Sequence, residues 1–176
     1  SYNIMSFGNM KKENGQNPIL NYIKNSNADI VCMQEYAGSE TAKIHLSNKE
    51  IRQALKDYPY HNIKQVGKTG AGSQLACYSK FPILSARMLD YRSNYNGSMV
   101  YEIKIGKDTV LLINNHLESN KLTREDKVVY EDMLKDPKAG KVKSGVRQLV
   151  NKLAEASAIR SAQARTIAQE IAHSPY

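Results

Sequence analysis

The sharpest break between apolar and polar positions comes at Ile30-Val-Cys-Met33, which runs directly into Gln34 and Glu35. A short apolar run without alternation reads as a strand buried on both faces. Glu35 then sits at the strand's carboxyl end, where open α/β sheets place their ligands. Taken alone, it reads as the first solvated residue after a strand. Val110-Leu-Leu-Ile113 repeats the pattern and breaks into Asn114-Asn-His-Leu-Glu-Ser-Asn120. Two buried runs thus end in groups capable of chemistry.

The remaining elements follow from periodicity and caps. Residues 1–8 read as a strand that loses regularity at Gly8, and 9–16 as a polar loop. Asn17 caps a helix with Pro18 at its first position and Ile19, Leu20 and Ile23 on one face. This helix leads into the Glu35 strand, which makes a βαβ-like opening. Ser47 followed by Glu50 is a capping-box pattern and starts a helix over 47–58, which Pro59 stops. Residues 60–66 alternate weakly, as a strand does. Four strands are then predicted at 73–79, 83–91, 98–105 and 109–116, forming an antiparallel meander with turns at 80–82, 93–97 and 106–108. Thr123 begins a helix to about Lys135. A long helix spans about 142–173, with Val146, Leu149, Val150 and Leu153 on one face and Lys and Arg on a solvated face.

The 176 residues are enough for one domain with a sizeable core. With 25 Lys and Arg against 17 Asp and Glu, the net charge of +8 suits an anionic partner. Nucleic acid, a phosphorylated small molecule and a phospholipid surface all fit. Cys32 and Cys77 lie in apolar runs and read as free core thiols, not as a disulfide framework. His45, His61, His116 and His173 are scattered, without the paired spacing of a zinc site. Gly67-Lys-Thr69 is not a P-loop, because position 62 is Asn and a strand follows; a tight hairpin turn is expected there. No run approaches transmembrane length and no signal-peptide pattern is present. The chain opens in mid-strand and closes at Tyr176 without a tail, so it reads as a single domain truncated at both ends, and its location stays open.

Ser1-Tyr-Asn3, a helix, Ala28-Asp-Ile-Val-Cys-Met-Gln-Glu35, Tyr78-Ser-Lys-Phe-Pro-Ile83 and Asn114-Asn-His-Leu117 occur in that order. The ordered set resembles the endonuclease/exonuclease/phosphatase superfamily, the deoxyribonuclease I-like phosphoesterases, over essentially the whole chain. The resemblance implies an α/β fold, a four-layer αββα sandwich of two mixed sheets, here partial with the C-terminal part missing. It also implies metal-dependent hydrolysis of a phosphodiester, as in a nuclease, or of a phosphomonoester. Glu35 would be a ligand to Mg²⁺ or Mn²⁺, with Asn3 in or near the coordination shell. His116 would hydrogen-bond the scissile phosphate, while Asn114 and Glu118 are candidates to orient it. Mg²⁺ chemistry is consistent with this set, since the ion keeps several waters and needs only one or two protein carboxylates. The family's later Gly-Asp-x-Asn and Asp-His motifs do not occur in the sequence. A non-catalytic module that binds a phosphate ligand or a partner chain is the alternative.

Overall fold

The computed structural model describes residues 1–9, 13, 15–38, 46–67, 74–91, 93–135 and 140–176. The chain divides into two compact units, Ser1–His116 with His173–Tyr176, and Leu117–Ala172. The predicted turn at 67–72 lies almost entirely outside the described residues.

The first unit is built from two sheets. One contains β1 (Tyr2–Asn3), β2 (Ile30–Tyr36), β3 (Tyr60–Gln65) and β4 (Gln74–Ser79) in the order β1-β2-β4-β3. β1 runs parallel to β2, and the other pairs are antiparallel. The second contains β5 (Ile83–Met88), β6 (Gly97–Ile105) and β7 (Asp108–His116), antiparallel throughout. The meander therefore has three strands, not the four expected. β4 buries Leu75 and Cys77 on one face and Ala76 and Tyr78 on the other, so it takes a central place between β2 and β3. Residues 80–82 carry the chain to the other sheet, with Lys80 N donating to Asp29 O and Lys104 N to Pro82 O.

Two helices cover the outer face of the first sheet. In α2 (Pro18–Asn25), the Asn17 side chain accepts from Leu20 N, and Leu20 and Ile23 are buried. In α3 (Asn48–Ala54), Ser47 and Glu50 complete the capping box. This helix stops before the expected position 58, because Tyr58 turns inward and its hydroxyl donates to Ala28 O at 2.9 Å. Leu20, Ile23, Ile51 and Leu55 pack with Val31, Met33, Tyr36 and Tyr78 in one core cluster. A second cluster, including Cys32, Leu75, Cys77, Met99, Tyr101 and Ile103, fills the space between the sheets. Cys32 and Cys77 are free, buried and directly opposite each other on β2 and β4. The hydrogen bond to Cys32, followed by burial, pushes the Cys77 thiol well above its ordinary range.

The opening departs most from the sequence pattern. β1 ends at Asn3, and α1 (Met5–Asn9) is a left-handed turn, with positive φ from Met5 through Gly8. Each non-glycine residue in this conformation costs about 1–2 kcal/mol. The turn is fixed at both ends. Met5 N donates to Asn3 Oδ1 at 3.1 Å, Gly8 N to Ile4 O at 2.9 Å, and Ile4 and Phe7 are buried.

The second unit holds α4 (Arg124–Lys135) and α5 (Gly140–Ala172). Thr123 and Asp126 cap α4 reciprocally, and Lys152 Nζ reaches Asp126 Oδ2 at 2.7 Å. Among the described residues no helix is long and apolar enough to cross a membrane.

Candidate functional site

The site begins with an extra residue in β2. Met33 pairs with Ala76 and Tyr36 with Gln74, so Gln34 and Glu35 together stand opposite Leu75 in a β-bulge. Strict alternation would place Glu35 on the helix-covered face with Val31 and Met33. The bulge instead turns both Gln34 and Glu35 toward β7 and returns Tyr36 to the helix side. Glu35 takes a left-handed backbone, φ +53°, to make this turn. For a non-glycine residue that costs about 1–3 kcal/mol, strain of the kind that gathers at functional sites.

Three side chains then converge. Asn3, paired with Gln34 in the parallel β1–β2 register, donates from Nδ2 to Glu35 Oε1 at 2.9 Å. Its Oδ1 holds the start of the left-handed turn, so the amide both positions the carboxylate and caps the loop. His116, the last residue of β7, places Nε2 3.4 Å from the same Glu35 oxygen. His116 Nδ1 is buried and has no hydrogen-bond partner among the described residues.

Behind these groups lies a buried amide network. Gln34 Nε2 donates to Asn114 Oδ1 at 2.5 Å and to Ser1 Oγ at 2.8 Å. Asn114 Nδ2 donates to Met33 O and Ala76 O, both at 3.2 Å. Asn114 thus joins β7 to β2 and β4 and does not bond the imidazole. Each polar group it brings into the interior has a partner, as a buried network requires. Gln34 escaped the reading of the sequence as a structural element of the site; its signal was an amide continuing a buried run. Glu118 lies in the second unit, where its carboxylate is 3.3 Å from Lys121 Nζ and its backbone N–H donates to Gln163 Oε1 at 2.9 Å.

The donor set suits a hard, hydrated cation. Both neighbours of Glu35 engage Oε1, leaving Oε2 without a protein partner among the described residues, on a side chain that is 39% exposed. No cluster of three or more His, Cys, Asp or Glu able to hold a metal occurs among the described residues. One partly exposed carboxylate with a free oxygen matches the sparse protein coordination of Mg²⁺ or Mn²⁺, and it does not make a zinc cage; Asn3 offers Glu35 its N–H, while its oxygen is held by Met5 N.

Two face-to-face sheets that bring an amide, a carboxylate and an imidazole together at their strand ends define an α/β sandwich with a polar site on its rim. The model of the endonuclease/exonuclease/phosphatase family matches residues 1–171, and the chain belongs to that family. No curated protein matches it. Among solved structures, truncated Caenorhabditis elegans TDP2 is similar at 22% identity and a TM-score of 0.45, over 79% of this chain and 57% of that one. Another TDP2 structure from C. elegans gives 23% and 0.45, over 79% and 44%. SmcL gives 14% and 0.38, over 65% and 46%. The chain spans about half the length of these structures.

Proposed function

We propose that the protein is a metal-dependent phosphoesterase and that Glu35, Asn3 and His116 supply cation and phosphate binding in its site. The observation that supports the reading is the bulge in β2, which sets Glu35 between Asn3 and His116. Glu35, with Asn3 beside it, would hold Mg²⁺ or Mn²⁺. Such a cation supplies charge stabilisation at the non-bridging phosphoryl oxygens. Asn3 keeps Glu35 aimed through its Nδ2–H bond. His116 directs Nε2 toward the same space, where its N–H donates to a phosphoryl oxygen as negative charge develops. The Gln34–Asn114 network keeps β2 and β7 in register, so carboxylate and imidazole meet the substrate without rearrangement.

A phosphodiester in nucleic acid is the proposed substrate, supported by the net charge of +8. The test is hydrolysis of bis-(p-nitrophenyl) phosphate by the full-length protein in Mg²⁺ and in EDTA, with Glu35→Gln in parallel. Cleavage that needs the metal and Glu35 supports the reading, and metal-independent cleavage overturns it. Phosphate binding with no cleavage in either buffer would favour the alternative, a module that binds a phosphate ligand without turnover.

A further inference from the structure

The residue that follows the bulge opens a second polar feature, on the opposite face of the sheet. Tyr36 and Tyr78 form part of the lining of a cavity of about 240 Å³, together with Arg52 of α3, His61 and Ile63 of β3, and Gln74. Among the described residues this lining is rich in hydrogen-bond donors and contains no carboxylate. The two tyrosine hydroxyls lie 3.2 Å apart. One phenolic hydrogen makes that bond, and the other remains available to donate. Burial pushes both phenols above their ordinary range, so both hydroxyls keep their protons at neutral pH.

Arg52 is the cationic member. Its charge acts on both phenols. Its guanidinium makes no hydrogen bond or ion pair among the described residues. An exposed arginine is ordinarily just solvated, but this one lines the same cavity as two buried tyrosines whose hydroxyls have a donor to spare. The His61 ring stacks on Tyr78 with centroids 5.3 Å apart and planes at 16°. His61 and the neighbouring Ile63 are both exposed and line the cavity, so the imidazole is a flat group against which a ligand ring can pack.

We propose that this cavity binds a small aromatic phosphate monoester, its oxyanion held by Arg52 and the Tyr36–Tyr78 hydroxyls and its ring set against His61. A planar guanidinium meets a phosphate with two parallel N–H bonds, a geometry that a point charge does not reproduce. None of these groups belongs to the Asn3–Glu35–His116 cluster, so the inference stands apart from the proposed activity.

Phenyl phosphate is the probe, titrated by calorimetry into the full-length protein in EDTA, with phenol as the uncharged control. The expected result is saturable one-to-one binding that Arg52→Ala weakens by about tenfold or more, the scale of a lost charge-assisted bidentate contact. Arg52→Lys recovers part of that loss, Glu35→Gln binds as wild type does, and phenol does not bind. Circular dichroism melts confirm that each variant is folded. Equal affinity in wild type and Arg52→Ala, or no saturable binding by wild type, overturns the proposal. Loss of binding in Glu35→Gln also overturns it, because the phosphate would then sit at the strand-end site.

Discussion

Gln34 Nε2 donates to Asn114 Oδ1 across the gap between the two sheets, a 2.5 Å contact between residues 80 positions apart. It lies directly behind Glu35 and His116 and ties the strand that carries one to the strand that carries the other. The geometry of the candidate site is therefore a property of sheet packing more than of either strand end.

Glu35→Gln keeps the shape of the side chain and removes its charge. On the proposed reading it lowers kcat/KM for bis-(p-nitrophenyl) phosphate by about 10²-fold or more, the scale seen when a main electrostatic stabiliser is lost. His116→Ala lowers kcat while the Mg²⁺ concentration at half-maximal activity stays near wild type. The pair of Mg²⁺ titrations separates the two roles. A His116→Ala defect that extra Mg²⁺ rescues would reassign His116 to the metal.

Asn114→Ala removes a buried amide that accepts one bond and donates two. It leaves Gln34 and two carbonyl oxygens short of a partner and should cost about 2–3 kcal/mol of stability. Urea unfolding with an unchanged m-value would show it. A shift within 0.5 kcal/mol, the range typical of an inert surface change, would mean that water replaces the amide at little cost.

Ser6→Gly should stabilise the protein. Ser6 sits at φ +53° inside the left-handed turn, and glycine takes that conformation without the Cβ clash. The gain is about 0.5–1 kcal/mol once the extra freedom of the unfolded chain is subtracted. A thermal melt that moves upward is the expected readout, and a lower melting temperature would argue against strain at this turn.

Gly97→Ala should destabilise. Gly97 opens β6 opposite His116, and an added Cβ would lie 2.7 Å from the Cβ of Val66, which is fully buried. Relief requires the strands to shift, at about 1–3 kcal/mol. Because His116 is the partner of Gly97, the same substitution should also reduce activity in the folded fraction. Unchanged melting would show that Val66 can move aside.

Lys152, followed by the Thr123 backbone N–H, holds the Asp126 carboxyl below its ordinary range. A carboxyl depressed in the folded state adds stability that is fully present above its unfolded value and is lost as pH falls through the folded one. Asp126→Asn should therefore flatten the acid limb of the stability curve, and Lys152→Met should do the same. An acid limb that stays unchanged in both variants would remove this pair from the pH response.

Local patterns along the chain marked most of the helices and strands and the candidate polar groups at their ends. Asn17 with Pro18, and Ser47 with Glu50, marked two helix starts because a cap needs only neighbours along the chain. Glu35 and His116 were legible as polar groups after apolar runs, since burial of such a run fixes where solvent begins; Asn3, on the short exposed strand β1, was singled out only by the family resemblance. Tertiary structure decided the rest. Whether β4 joined β2 and β3 or the meander depended on pairing partners that no local pattern encodes. The left-handed turn after Asn3 needed Ile4 and Phe7 to be buried before its strain could be held. The bulge is the clearest case: alternation alone sends Glu35 toward the helices, and only pairing with β4 inserts the residue that turns it to His116. A strand's period is local, but its register is set by its partner, and one residue of register changes the face on which a side chain stands.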